Sequence, residues 1–271
     1  MAVRKIIHLA DIHIRTFRLH DEYKEVFKNL LIQLTDLVKD YKREEIRIVI
    51  VGDLVHQKIV ISNEQLVLCV WFLKKLEEIA PVIIIAGNHD LLENNKDRLD
   101  SITPIVKFLP DSNINYFTET NCYLDDNIVW CVYSIFDGNN TPNIPNARVE
   151  FGNDKLYVGL FHAPILNAKT DIGYDIDHGA GLDIFENCDV AMLGDIHKRQ
   201  SFIHKGVLIA YPSSLIQQNF GENVSKHGFL VWDVETKNFE EYDVKNEYPY
   251  YQFKIQSLED LENNTEKIVN I

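Results

Sequence analysis

Three short runs near the start of the chain, KIIHLA (5–10), IRIVIVG (46–52) and PVIIIAG (81–87), are apolar at nearly every position rather than at alternate ones. Strands of that composition must be covered on both faces, which places them inside a sheet with other layers packed on each side. The segments between them read as helical covers. DEYKEVFKNLLIQLTDLVKDY (21–41) sets Tyr23, Phe27, Leu30, Leu31, Leu34, Leu37 and Val38 at helical spacing, and SNEQLVLCVWFLKKLEEIA (62–80) opens with Ser62 and Gln65 at capping-box spacing. Strand, helix, strand, helix, strand predicts right-handed crossovers and a parallel beginning.

Five more runs follow: IVWCVYSIF (128–136), LYVGLFHA (156–163), DVAMLG (189–194), VLIAYP (207–212) and FLVWDV (229–234). Helices become scarce past Asn121, with one short stretch near GLDIFENC (181–188). The pattern predicts an α/β first half and a strand-rich second half in one domain, residues 1–240. The change of character from FEEYDV onward predicts that residues 241–271 begin a further module.

No apolar run approaches the roughly 18 residues of a membrane span, and MAVRKIIHLADIH meets charge too early for a secretory signal. A cytoplasmic protein with no membrane partner is expected. Cys69, Cys122, Cys131 and Cys188 form no C-x-x-C pair, so free thiols are expected rather than a zinc knot. With 27 Lys and Arg against 41 Asp and Glu, the net charge of −14 argues against nucleic acid as a partner. Two bound divalent ions would add about +4 locally and weaken that objection.

The chemistry sits just past the strand ends, where open α/β sheets place their ligands. Asp11 and His13 follow the first run, Asp53 and His56 the second, and Asn88, His89 and Asp90 the third; His162 closes LYVGLFH, and Asp195 and His197 follow DVAMLG. A single Asp-x-His is ordinary turn chemistry, but five strand ends sharing carboxylate, imidazole or amide are not. Mixed oxygen and nitrogen donors suit Mn, Fe or Zn, and the absence of Cys argues against a structural zinc cage.

The ordered set ADIH, GDLVH, GNHD, FHAP and GDIH resembles the calcineurin-like metallophosphoesterases. Within them, HLADIHI, HDEYKEVF, GDLVHQK and LGDIHKRQ look like the SbcD-type DNA double-strand-break repair nucleases, including viral and phage recombination nuclease subunits. The resemblance covers roughly residues 3–235. It implies a sandwich of two β-sheets flanked by helices, with a capping module starting at the C-terminus. It also implies two divalent ions, with Mn expected: one held by Asp11, His13, Asp53 and His197, the other by Asp53, Asn88, His162 and Asp195. Ions about 3.5–4 Å apart clamp the phosphate and stabilise the entering and leaving oxygens of an in-line displacement. His89 is then the expected general acid, with Asp90 orienting it and His56 near the scissile phosphate. The implied activity is exonuclease on double-stranded and endonuclease on single-stranded DNA, by a homodimer partnered with an SMC-like coiled-coil ATPase of SbcC type.

One position departs from the family. The usual motif is Gly-His-x-His, and this chain has Gly-Asp-Ile-His. Asp195 adds negative charge and reaches less far, leaving open a retuned second site, a weakened one or an inactive relative. Two rival functions follow: a nucleotide or small-molecule phosphodiesterase on the same core, and a non-catalytic scaffold of the repair complex.

Other residues take plainer readings. His8 belongs in the core of the first strand, His20 caps the first long helix, and His178, His204 and His227 belong to the surface. Lys198 and Arg199, with Arg15, Arg18 and Lys58, could rim the metal site or simply be solvated. Trp71 and Phe72 are expected in the core, and KNEYPYYQF is expected to cover a module boundary.

Overall fold

The protein is described here by a computed structural model covering residues 2–269. In chain order, β1 (Lys5–Leu9), β2 (Ile46–Val51), β3 (Val82–Ile85) and β4 (Ile114–Phe117) are followed by β5 (Asn121–Asp125), β6 (Ile128–Tyr133), β7 (Leu156–His162), β8 (Val190–Gly194), β9 (Gln200–His204) and β10 (Val207–Tyr211). The chain then returns through β11 (Gly228–Asp233) and β12 (Asn238–Asp243). The helices are α1 (His20–Leu37), α2 (Asn63–Ile79), α3 (Ile102–Lys107), α4 (Ile144–Phe151) and α5 (Leu258–Val269). Two six-stranded mixed sheets result, ordered β12-β11-β1-β2-β3-β4 and β5-β6-β7-β8-β10-β9.

Alternation along the strands explains the layers. Ile7, Leu9, Ile48, Ile50 and Ile84 turn toward α1 and α2, where Phe27 and Phe72 stack at 3.9 Å between centroids. Ile6, Val49, Val51, Ile83 and Ile85 turn the other way and meet Trp130, Val132, Val158, Leu160 and Met192 of the second sheet. A third cluster under α4, with Phe185 at its centre, covers the far face of that sheet. The α/β sandwich of two sheets flanked by helices is therefore the fold.

His8 ties the two sheets together. Its Nε2 lies 3.0 Å from the Leu193 carbonyl in β8, and the Trp232 indole N–H points at its Nδ1 from 3.4 Å. Burial lowers its pKa to about 3, so the ring stays neutral, donating through Nε2 and accepting through Nδ1.

Some elements follow expectation and others depart from it. Ser62 does cap α2, accepting from Gln65 N at 3.1 Å. The GLDIFENC stretch is one 3-10 turn, Leu182–Phe185. Phe72 is fully buried, whereas Trp71 is only partly covered. β11 returns to pair antiparallel with β1, and β12 pairs with β11 from Gly228↔Asp243 to Asp233↔Asn238, so position 240 falls inside a strand of the first sheet. Beyond it Gln217 grips Tyr250 by both backbone groups, at 2.8 and 3.1 Å.

Candidate metal centre

All five donor-bearing loops leave the carboxyl ends of β1, β2, β3, β7 and β8 at one edge of the sandwich. The first two loops continue as a ladder: Asp11 N donates to Gly52 O at 3.2 Å, His13 N to Asp53 O at 2.9 Å, and His56 N to Ile14 O at 3.1 Å. Asp11, His13, Asp53 and Asp195 have φ of 52°, 52°, 54° and 95°, a region that non-glycine residues enter at a cost. Four donors in that conformation mark the loops as shaped for their side chains rather than for backbone comfort.

The first group gathers Asp11, His13, Asp53 and His197. Ligand atoms of Asp11, His13 and His197 all lie within 4.8 Å of one another. His13 Nε2 is 3.1 Å from His197 Nε2 and 3.4 Å from Asp53 Oδ2. The second group shares Asp53, whose Oδ1 is 3.4 Å from His162 Nε2; Asn88 Oδ1 and Asp195 Oδ1 stand 3.1 and 3.9 Å from that same nitrogen. The structure thus brings all seven expected ligands together in two adjoining groups with Asp53 between them. In the second group, the His162 Nδ1 hydrogen goes to the Val51 carbonyl at 2.8 Å, leaving Nε2 to face the other donors.

The ring of His162 occupies a socket made by glycines. A Cβ on Gly52, Gly87 or Gly194 would run into it.

Electrostatics agree with a site for cations. Burial pushes Asp11 up to about 7 and raises Asp195 as well. Burial lowers His162, but Asp53 beside it wins and holds it well above its ordinary range. Three carboxylates enclosed this way call for positive charge, and two divalent ions supply about +4. The mixed donors and charge balance fit such ions.

Around the two groups, the expected supporting roles are redistributed. His89 Nδ1 lies 2.7 Å from the His56 carbonyl, and its backbone N donates to Asp53 Oδ1 at 2.8 Å, which orients the ring edge-on to His13 at 4.8 Å. Asp90 does not orient that ring. Its carboxylate is fully buried and accepts from Gly87 N and Asp53 N at 2.8 Å each and from Val55 N at 3.0 Å, tying the second and third loops together. His56 sits beside His13, 3.4 Å between Nδ1 atoms, with its pKa lowered to about 4 by burial and by Arg15.

Glu222 is the functional neighbour that motif reading misses. Its Oε1 is 2.8 Å from His197 Nδ1, and its Oε2 accepts from Gln218 N at 2.8 Å. Glu222 lies in a loop 25 residues past His197, with no periodicity to flag it. Of the basic residues, Arg199 is committed to β12, pairing with Asp243 at 2.7 Å, and Lys58 pairs with Glu93 at 3.0 Å. Arg15 stays near the rim, donating to Gln218 O at 3.2 Å. His178 is exposed beside Asp177.

Two facing sheets with these donors at their carboxyl edge define a metallophosphoesterase core. Residues 4–199 match the calcineurin-like phosphoesterase family, and the chain belongs to it. Its members use divalent metals and hydrolyse phosphoesters. The chain is 38% identical over 262 residues to an uncharacterized protein of Acanthamoeba polyphaga mimivirus, covering 93% of this chain and 19% of that one. It therefore spans about a fifth of that relative's length. Among solved structures it is similar to the protein described as GAP50, the anchor in the inner membrane complex of Plasmodium, at 12% identity and a TM-score of 0.48 over 91% of this chain and 90% of that one. A hypothetical protein of Pyrococcus horikoshii OT3 matches at 13% identity and a TM-score of 0.46 over 99% and 94%. No helix among the described residues is long and apolar enough to cross a membrane.

Proposed function

We propose that the chain is a two-metal phosphodiesterase acting on DNA, the SbcD-type nuclease subunit of a recombination and repair complex. The observation that carries the reading is the convergence of seven donors on two adjoining groups that share Asp53. The longer SbcD-like stretches around those donors favour DNA over a small ester. With that reading go Mn as the ion, an SMC-like coiled-coil ATPase and a second copy of the chain as partners, and a cytoplasmic setting.

Divalent ions held there would polarise the phosphoryl oxygens and provide a nucleophile at neutral pH. The residues do the rest. Asp11, His13, Asp53 and His197 would hold one ion, and Asp53, Asn88, His162 and Asp195 the other. His89, fixed by the His56 carbonyl, presents Nε2 as the proton donor to the leaving sugar oxygen. Glu222 keeps His197 turned so that Nε2 faces His13.

The net charge of −14 favours one alternative, a nucleotide or small-molecule phosphodiesterase. Cleavage of end-labelled linear duplex DNA after chelation and Mn restoration, beside a chromogenic phosphodiester, separates the readings. Mn-dependent shortening that disappears in His89→Ala is expected. Cleavage of the chromogenic ester alone would favour the alternative, and cleavage of neither would favour a non-catalytic scaffold.

A further inference from the structure

A cavity of about 660 Å³ opens directly beside the second donor group, with Asn88, His162 and Asp195 forming one wall. That volume lies within the roughly 300–1,000 Å³ of small-molecule sites. A phosphate held at the donors would have one of its two ester substituents at the mouth of this space.

Another part of the lining is aromatic and fixed in place. Tyr133 and Phe161 line the cavity edge-on to one another, 5.9 Å between centroids, and both pack on Phe185 at 5.4 and 5.6 Å. Tyr133 is further pinned by its hydroxyl, which donates to Ile184 O at 2.7 Å. At the rim, Asn139 and Asn140 are exposed and carry amides able both to donate and to accept. An aromatic wall with amide donors and acceptors at its edge suits a planar heterocycle, whose ring edge carries both, better than a lipid chain, which needs no amides.

We propose that this cavity binds the nucleoside of the nucleotide whose phosphate reaches the two donor groups. The inference rests on the two-metal phosphodiesterase reading and adds to it a place for one base beside the scissile phosphate. Stacking and edge contacts of this kind are worth about tenfold or more in affinity per base.

The test is calorimetric binding to the Mn-loaded protein of thymidine 5′-monophosphate and of inorganic phosphate, read as the ratio of the two affinities. The wild-type ratio is expected to be about tenfold or more. Ala180→Trp, which puts an indole into the cavity, is expected to bring the ratio near one. Should that variant misfold, the exposed pair Asn139→Ala with Asn140→Ala decides, with an expected several-fold fall. A wild-type ratio near one, or a ratio that neither substitution changes, overturns the nucleoside site and leaves the two-metal reading standing. Failure of both ligands to bind would remove the two-metal reading and this inference with it.

Discussion

Glu222 Oε1 lies 2.8 Å from His197 Nδ1, so a carboxylate fixes the orientation of an imidazole whose other nitrogen faces the first donor group. Such outer carboxylates set ring orientation and basicity. Glu222→Gln keeps the shape but loses the charge, and it is expected to weaken Mn binding by about 10- to 100-fold. Titration calorimetry measures this directly. Unchanged affinity would show that Glu222 merely packs the loop.

Asp195 stands where the family's usual motif has His, with Oδ1 3.9 Å from His162 Nε2. Restoring imidazole by Asp195→His is expected to maintain or raise Mn-dependent turnover of a chromogenic phosphodiester, because the remaining donors of the second group are in place. A folded variant with no activity would contradict this and make the carboxylate a requirement of this chain.

Asp90 is a structural knot. Removing its carboxylate in Asp90→Ala strands the buried amides of Gly87, Asp53 and Val55. Each unsatisfied amide costs about 1–3 kcal/mol, so a loss of roughly 3 kcal/mol or more is expected. Urea denaturation should show a lower midpoint with an unchanged slope. A variant as stable as the wild type would mean that the loops rearrange to satisfy these groups elsewhere.

His8 gives the fold a pH dependence of known sign. The folded ring has its pKa lowered to about 3, against 6.5 when unfolded, so below pH 6.5 the unfolded chain takes a proton that the folded one refuses. Its contribution is complete above pH 6.5 and is lost progressively as the pH falls toward 3, at up to about 1.4 kcal/mol per unit. Asp11 and Asp90, both pushed up to about 7 by burial, act in the opposite sense, so total stability alone does not isolate the ring. The difference between wild type and His8→Asn does. It should change steadily between pH 6.5 and 3, and a difference flat across that interval would refute the assignment.

The donors were legible because each belongs to a short motif abutting a continuous apolar strand; both signals are local, and they coincide. The partition of the strands between sheets was not local. FLVWDV reads as one more late strand, yet β11 completes the first sheet beside β1, more than 200 residues away in the chain. β4, β5 and β9 leave no apolar run because they are short or edge strands, whereas β12, NFEEYD, whose exposed faces carry charge, reads as the opening strand of a further module and instead edges the first sheet. The role of Asp90 was misread for a related reason. A sequence places it next to His89 but cannot show that its carboxylate turns away toward the backbone amides of Gly87, Asp53, Leu54 and Val55.

The socket of His162 is defined by side chains that are missing. Gly52, Gly87 and Gly194 come from three different strand ends, and none offers an atom beyond its backbone to the ion-binding groups. Alanine at Gly52 would press on the imidazole, at Gly87 on Asp53 as well, and at Gly194 also on the Val51 carbonyl that holds the ring, all without removing a single donor. A mutational map of this chain would therefore score three positions as metal-binding defects although no metal ever touches them, and a search for the site by donor chemistry alone would pass over the residues that give it its shape.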